Sequence, residues 1–312
     1  MRTSEQIKSV AANVGFDLCG VAPVVHFPEL AHFPDNYNTA LPYSIAVKSP
    51  GHGWISRYAW SREDYHESVL RRLREVEARL KQVANGSIET RSYVDTGPVL
   101  ERVFARYAGI GWLGKNTCLI NQKIGSWLFL GVIVTSLELT PDVPASDRCG
   151  TCTRCIDACP TQAFVAPHQL DSNKCISYLT IEKRGPLPED LREGIGSNVF
   201  GCDICQDVCP WNRKAPATEK PEFQPREGLV NPALAWLAEI SEEEFRQKFR
   251  GSPVKRAKRS GLRRNTIIAI GNAKDHSQLA VVERAINDSD PDVAEAAQWA
   301  KRQILDQSHE TD

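Results

Sequence analysis

The cysteines are the residues whose type and spacing indicate chemistry most directly. The chain contains ten of them, and eight lie in one short segment. Their spacing is C-x2-C-x2-C-x3-C-P from Cys149 to Pro160, then Cys175 alone, then C-x2-C-x3-C-P from Cys202 to Pro210. Runs of this kind that end in Cys-Pro are typical of bacterial ferredoxins with [4Fe–4S] clusters. The eight thiolates are enough for two four-cysteine clusters.

The ligand sets follow from the way a chain crosses between two clusters. In bacterial two-cluster ferredoxins the fourth cysteine of a run binds the other cluster. The second run lacks a first ligand, which Cys175 must supply. The predicted sets are Cys149, Cys152, Cys155 and Cys209 for one cluster, and Cys159, Cys175, Cys202 and Cys205 for the other. A pair of zinc sites is the alternative, but the unbroken triple spacing favours iron–sulfur clusters.

The remaining composition is that of an ordinary soluble globular protein. The chain has 312 residues, which suggests two or three domains, with a net charge of −1 and 25% charged residues. The first twenty residues lack the apolar core of a secretory signal, and the longest apolar run, Trp127 to Val134, is too short to span a membrane. We therefore expect a cytoplasmic monomer without membrane contact. Reduced thiols in that compartment argue against a disulfide framework, and Cys19 and Cys118 are interpreted as buried structural thiols.

Apolar periodicity and turn residues predict the elements that position this chemistry. An amphipathic helix is predicted over 61–85 with Ser61 as its N-cap. A strand ending at Asp95 and a helix opening at Pro98 follow, and a buried strand is predicted over 126–139. Strand, turn and helix in this order indicate an α/β domain. The predicted domains are 1–145, a cluster module over 146–215 and a helical domain over 216–312, with helix breaks at Gly271–Asn272 and before Pro291.

Several motifs together closely resemble the epoxyqueuosine reductase family. They are RSYVDTGPVLERVFARYAGIGWLGKNTCLI, CGTCTRCIDACPTQAF, CISYLTIEKRGPLPEDLR and FGCDICQDVCPWNRKA, supported by WISRYAWSREDYH and the helical tail. The resemblance implies a cobalamin-dependent iron–sulfur enzyme, fed by an unidentified electron donor, that removes the epoxide oxygen from epoxyqueuosine at the wobble position of tRNA. It implies an α+β, nitroreductase-like cobalamin domain related to reductive dehalogenases, a ferredoxin-like two-cluster module and a C-terminal HEAT-like domain.

The resemblance also implies roles for individual residues. Asp95 in VDTGP matches the family's proton donor, whereas Tyr58 in SRYAW and Ser177 in CISYL match positions that line the corrin. Each has a simpler interpretation: Asp95 as a helix cap, Tyr58 as a core aromatic and Ser177 as a solvated hydroxyl. The GWLGKN segment lacks full phosphate-loop spacing and is interpreted as a tight turn near the corrin. Relative to the family the chain is shortened near residue 35, where HFPD continues directly into NYNTALPYS.

Charge is segregated along the C-terminal region despite the neutral total. Residues 251–274 carry seven basic residues and no acid, whereas residues 275–312 carry three basic and nine acidic residues. Since phosphate neutralisation dominates nucleic-acid affinity, this basic stretch predicts tRNA contacts at Lys255, Arg256, Lys258 and Arg259. A solvated basic helix face is the alternative. Two rival functions also remain, a cobalamin-dependent reductase of a small molecule, such as a dehalogenase, and a non-catalytic iron–sulfur electron carrier.

Overall fold

The computed structural model describes residues 4–24, 27–36, 50–84 and 88–306. The strands in these ranges are β1 (Gly20–Val24), β2 (Phe27–Asn36), β3 (Trp54–Ile55), β4 (Thr90–Tyr93), β5 (Trp112–Leu113), β6 (Leu119–Ile120), β7 (Leu128–Thr135), β8 (Phe164–Ala166), β9 (Gln169–Leu170) and β10 (Asn198–Phe200). Residues 37–49 lie outside the described residues. The predicted shortening near residue 35 falls at the end of β2, immediately before them, and it stays a prediction.

The helices alternate with these strands. The α-helices are α1 (Ser4–Asn13), α2 (Tyr65–Val83), α3 (Glu101–Tyr107), α4 (Arg154–Asp157), α5 (Ile176–Ile181), α6 (Glu189–Ile195), α7 (Ile204–Asp207), α8 (Leu234–Glu239), α9 (Glu242–Lys248), α10 (Lys258–Ala273), α11 (Leu279–Ala285) and α12 (Pro291–Leu305). Short 3-10 helices lie at Arg57–Ala59, Ser172–Lys174, Pro210–Asn212, Pro221–Phe223, Pro253–Ala257 and His276–Gln278. In the described part of the chain, no helix is long and apolar enough to cross a lipid bilayer.

A four-stranded sheet in the order β1-β2-β7-β4 forms the centre of the N-terminal half. All three pairings in this sheet are antiparallel. The predicted α/β class is therefore corrected to α+β. The local strand, turn and helix pattern is the same in both classes, and only the long-range pairing of β4 with β7 distinguishes them.

Helices cover both faces of this sheet. On one face α2 packs across β7 and β4, with α1 beside it, while α3 packs on the other face. The approach of α2 is close, because a Cβ placed on Gly131 of β7 would lie 3.0 Å from both Val69 and Leu73. Alternate side chains of β7 separate the two layers: Phe129 packs toward α2, and its neighbour Leu128 toward α3.

Two helix starts differ from the sequence prediction. The N-cap of α2 is Asp64 rather than Ser61, and its carboxylate accepts a hydrogen bond from the backbone N–H of His66 at 3.1 Å. Ser61 instead makes a β-bridge to Pro225, which ties this loop to the C-terminal half. The next helix begins at Glu101 rather than Pro98, with Leu100 as its N-cap. The interpretation of Asp95 as a helix cap is therefore wrong.

The largest apolar core runs through segments from all three predicted domains. It joins buried residues around Trp60, the β10 strand around Phe200 and the C-terminal helices around Ile267. The predicted boundaries at 145 and 215 thus do not separate independent cores. Helices α10, α11 and α12 pack together as the predicted three-helix tail, and Asp290 caps α12 with Pro291 in its first turn, as predicted.

The predicted break at Gly271–Asn272 is wrong, because α10 continues through it to Ala273. Both residues have tertiary partners that the local pattern does not reveal. Gly271 packs so closely on Trp299 that an added Cβ would lie 2.7 Å from its ring. The Asn272 side-chain amide donates to the backbone oxygens of Arg192 and Gly196.

Asn265 joins α10 to the cluster module and generates a stability prediction. Its fully buried side-chain amide donates to the oxygens of Thr180 (2.8 Å) and Val199 (2.9 Å). We expect Asn265→Ala to lower the free energy of unfolding by about 2–4 kcal/mol, because two buried carbonyls lose their donor. Thermal denaturation under anaerobic conditions checks this. Gln298→Ala, an amide removed from an exposed site on α12, is the control, and equal melting of the two variants would contradict the prediction.

Candidate functional site

The structure brings Asp95, Tyr58 and Ser177 to one cavity of about 590 Å³. Tyr58 lies in the 3-10 helix after β3, Asp95 in the turn after β4, and Ser177 in the first turn of α5. Lys255 and Arg256, two of the four predicted tRNA contacts, line the same cavity. The residues implied for cobalamin and for tRNA therefore meet although they are distant in sequence.

Asp95 occupies a turn that holds its carboxylate in the cavity. Its φ of +57° is in the left-handed region, which Asp and Asn tolerate better than most residues. The Oδ2 atom accepts a hydrogen bond from Tyr65 Oη at 3.0 Å and lies 3.3 Å from His66 Nε2. Arg256 Nη1 lies 3.8 Å from the same oxygen, and the side chain is 51% exposed.

His66 is a site residue that sequence reasoning missed. Its Nδ1 atom lies 2.7 Å from Asp64 Oδ1, so the imidazole bridges the cap of α2 and Asp95. Burial lowers the pKa of His66, but the hydrogen bonds to the two carboxylates outweigh it and raise the pKa to about 9. The sequence did contain a signal for this residue, because the acid Asp64 stands two positions before His66 at the start of a helix.

The hydrogen bonds of Asp95 determine its protonation in this arrangement. The hydrogen bond with His66 lowers the pKa of Asp95, with Tyr65 adding to the effect and partial burial opposing it. Asp95 is therefore a carboxylate in this arrangement, paired with a protonated imidazole.

Tyr58 and Ser177 form the wall between the cavity and the cysteine module. The Tyr58 ring packs with the rings of Tyr65 and Phe200, each at 6.0 Å, and burial raises the pKa of its phenol. Tyr58 is thus a core aromatic and a cavity residue at the same time. Ser177 lies two residues after Cys175, a predicted cluster ligand, and its side chain opposes the rise in pKa that burial causes at that thiol.

The first predicted ligand set surrounds a separate cavity. Its four cysteines, Cys149, Cys152, Cys155 and Cys209, line a space of about 260 Å³. Burial raises the pKa of Cys155 to about 11, and the three neighbouring thiols add to the rise. Within the described ranges no three His, Cys, Asp or Glu side chains converge on a single metal ion.

The four cysteines of the second predicted set, which include the isolated Cys175, also lie near one another. Burial raises the pKa of Cys202, and the nearby thiols of Cys175 and Cys159 raise it further. Cys118 lies beside Cys205, which lowers the pKa of the Cys118 thiol, while Cys118 raises that of Cys205. Cys118 and Cys19 are both partly buried, Cys19 in the core beneath α1 and α2.

The GWLGKN segment contacts the cysteine module. Lys115 Nζ donates to the backbone oxygens of Gly150 (2.7 Å) and Cys152 (3.0 Å) within the first cysteine run. Asn116 donates its side-chain amide to the oxygen of Cys205 in the second run. This segment therefore holds both runs together, and its predicted position near the corrin stays a prediction.

The basic stretch divides into exposed and buried members. Lys255, Arg256 and Lys258 are exposed, and Arg259 donates Nε to the oxygen of Ile240. Arg263 and Arg264 are buried, the first in an ion pair with Asp288 and the second on backbone oxygens. The run is therefore neither uniformly a nucleic-acid surface nor uniformly a solvated face.

Comparisons with known proteins agree with this geometry. The family model for epoxyqueuosine reductase QueG matches residues 33–96, and the model for a 4Fe-4S double cluster binding domain matches residues 148–212. The epoxyqueuosine reductase of Xanthomonas campestris pv. campestris is 46% identical over 251 residues, which are 80% of this chain and 70% of that protein. The epoxyqueuosine reductase of a Synechocystis strain is 51% identical over 218 residues, which are 69% of this chain and 75% of that protein.

The chain belongs to the epoxyqueuosine reductase family. It is accordingly an oxidoreductase. A crystal structure of an epoxyqueuosine reductase with a tRNA-Tyr epoxyqueuosine-modified stem loop superposes with a TM-score of 0.88 at 31% identity, covering 96% of this chain and 89% of that one. The Bacillus subtilis epoxyqueuosine reductase, described with its catalytic aspartate loop swung out of the active site, gives a TM-score of 0.87 at 30% identity, covering 96% of this chain and 90% of that one.

The contacts of Lys115 lead to a prediction about the first cluster. Lys115→Met keeps an apolar stem but removes both hydrogen bonds to the first cysteine run. Because removing groups that orient metal ligands weakens metal sites, iron release to a chelator is expected to be on the order of 10-fold faster. Lys123→Met, at an exposed position of the following turn, is the control. Identical release kinetics from wild type and Lys115→Met would show that these hydrogen bonds have no role in cluster retention.

Proposed function

We propose that this chain reduces epoxyqueuosine to queuosine at the wobble position of tRNA, using cobalamin supplied with electrons by two [4Fe–4S] clusters. The observation that supports this most strongly is the shared cavity. One wall carries Asp95, and another carries Ser177, which lies two residues from the predicted cluster ligand Cys175. An acid and an electron source thus meet at one place, as reductive removal of an oxygen requires.

The cavity is compatible with a large organic cofactor. Its volume of about 590 Å³ lies within the ~300–1,000 Å³ typical of cofactor pockets. The lining alternates hydroxyls, as on Tyr58 and Ser177, with apolar surface such as Ile181. We assign these residues to the cobalamin-facing wall, where bound cobalamin would supply a reduced cobalt centre for the strained carbon–oxygen system.

The first cluster would receive electrons from an external donor, and the second would pass them to the cavity. The second set includes Cys175, which is two residues from Ser177 on the cavity wall. Buried iron–sulfur clusters reach potentials near −700 mV, which suits the reduction of an epoxide. The physiological donor would be a separate redox protein or a small reductant.

The remaining groups at the cavity suit a nucleic-acid substrate. One solved epoxyqueuosine reductase holds a tRNA-Tyr epoxyqueuosine-modified stem loop, which supports a tRNA substrate for this chain. Here Lys255 and Arg256 lie on the cavity wall, with Lys258 exposed beside them. We assign these cations, with Arg259, to phosphates that flank the wobble nucleotide, because cationic side chains at a pocket entrance neutralise a bound backbone. A small-molecule reductase would have no need of them.

Asp95 is assigned as the group that protonates the departing oxygen, and this assignment tests the reaction. Asp95→Asn preserves the turn, since Asn tolerates positive φ, but removes the acid. We expect intact clusters, unchanged tRNA affinity and a loss of ~10²-fold or more in single-turnover conversion of epoxyqueuosine-tRNA by pre-reduced, cobalamin-loaded enzyme. Asp190→Asn, at an exposed acid on α6, should convert at the wild-type rate.

Two outcomes of this experiment would count against the proposal in different ways. A wild-type rate in Asp95→Asn would remove Asp95 from the reaction but keep the substrate. No formation of queuosine by the fully loaded wild-type enzyme would reject the function itself. Nucleoside analysis of the digested tRNA distinguishes the two.

The position of Lys255 leads to a prediction about salt dependence. Each phosphate contact removed should lower the slope of log affinity against log salt by ~0.7–0.9. We expect this change for Lys255→Ala, and none for Lys274→Ala, because Lys274 ends the 16-residue helix α10 about 24 Å from its cavity end. Equal slopes for Lys255→Ala and the wild type would place the tRNA backbone elsewhere.

A further inference from the structure

His66 lies between two carboxylates in an almost continuous line of polar atoms. Nδ1 faces Asp64 Oδ1 at 2.7 Å, and Nε2 faces Asp95 Oδ2 at 3.3 Å. The ring also stacks on Tyr65, with centroids 4.0 Å apart, which restricts its rotation. The imidazole is therefore oriented toward both acids at once.

The proposed reaction needs more protons than Asp95 alone can hold. Removing an epoxide oxygen as water breaks two carbon–oxygen bonds and forms a carbon–carbon double bond. It consumes two electrons, which the reduced metal centres supply, and two protons. A single carboxyl group delivers one proton and must be recharged before it can deliver the second.

We propose that His66 is a positioning residue that holds Asp95 toward the reacting oxygen and recharges it with protons. This inference rests on the proposed function. When substrate fills the cavity, the Nε2 proton of the His66 imidazolium passes to Asp95 Oδ2, and the Asp95 carboxyl gives it to the leaving oxygen and becomes a carboxylate again. The neutral imidazole, whose side chain is 27% exposed, regains a proton from solvent and recharges Asp95. Repeating the cycle delivers the second proton and completes the water molecule.

Charges from several elements act on this pair. Tyr65 and Asp64 belong to the start of α2, and Asp95 to the turn after β4. The 3-10 helix before α10 contributes cations, of which Arg256 also pairs with Glu182 at the end of α5. Besides His66, the titratable and charged groups that line the cavity are Tyr58, Asp64, Tyr65, Asp95, Arg102, Tyr178, Glu182, Lys255 and Arg256.

The balance of these charges favours transfer of a proton from His66 to Asp95 only when substrate fills the cavity. With the cavity open to water, His66 is protonated and Asp95 is ionised, since hydrogen bonding raises the pKa of the imidazole to about 9 and lowers that of the carboxyl. Removing water disfavours both charged forms. A bound substrate that excludes water therefore drives the proton from the imidazole to the carboxyl, where it faces the substrate.

The first test is the pH dependence of single-turnover conversion by pre-reduced enzyme. Wild type should convert at a constant rate below about pH 9 and slow above it, as His66 loses its proton. His66→Gln should convert roughly tenfold more slowly near neutral pH, with the fall in rate moved to lower pH, and bind tRNA with unchanged affinity. His276→Gln, at an exposed histidine, should match wild type.

The second test uses a readout that does not depend on turnover. In cluster-loaded, cobalamin-free protein with labelled histidine, the His66 resonance should titrate near pH 9. Asp64→Asn should lower this value while α2 stays capped, because Asn caps a helix as well as Asp does. The same variant should shift the high-pH fall in conversion to lower pH.

Several results would overturn the inference. Titration of His66 near ~6.5, the ordinary value for histidine, would show that it is not held between the acids. A wild-type rate and pH profile in His66→Gln, with wild-type enzyme active, would reject the relay while leaving the proposed function intact. Absence of queuosine from the wild-type reaction would instead reject the proposed function, and the titration would then decide the geometry alone.

Discussion

The buried carboxylate of Asp203 is the contact on which the relation between cysteine module and cavity depends. It lies between two predicted cluster ligands in the C-D-I-C run, and it accepts hydrogen bonds from Ser56 Oγ, the Arg57 backbone and Trp54 Nε1. All three donors come from the segment that leads to Tyr58. A buried carboxylate is costly unless its oxygens are satisfied, so this segment has one favourable position against the cluster run. The cavity wall is thereby set by the same residues that set the clusters.

Much of the site could be predicted because its signals are local in sequence. Cluster ligands recur at short spacing, and the structure assembles both predicted sets, including the isolated Cys175. The VDTGP motif likewise predicts that Asp95 is a site residue. The structure could not be predicted where a role arises from tertiary proximity alone. His66 gains its role from a turn on another element, and Lys115 from carbonyls of the cysteine run.

The misassigned helix starts have the same cause. Ser61 and Asp64 are equally good N-caps by residue type. Only the β-bridge between Ser61 and Pro225 distinguishes them, because it engages the backbone of Ser61 outside the helix. The count of basic residues over 251–274 had a related weakness. It includes Arg263 and Arg264, which are buried against carbonyl oxygens and an acid and so do not belong to an exposed basic surface. The antiparallel pairing of β4 and β7 was likewise invisible to periodicity, which reports burial but not strand direction.

The shared core has an implication for how such a chain could arise and be rearranged. Ferredoxin-like modules are often thought of as portable parts that can be joined to new partners. Here Ile176, Leu179 and Phe200 are buried against the C-terminal helices and the Trp54–Trp60 segment, so a cluster module cut out on its own would expose them to water. Recombination at its edges would therefore be selected against. In this lineage the electron-transfer unit and the catalytic unit are expected to have been inherited together and to change by substitution rather than by exchange.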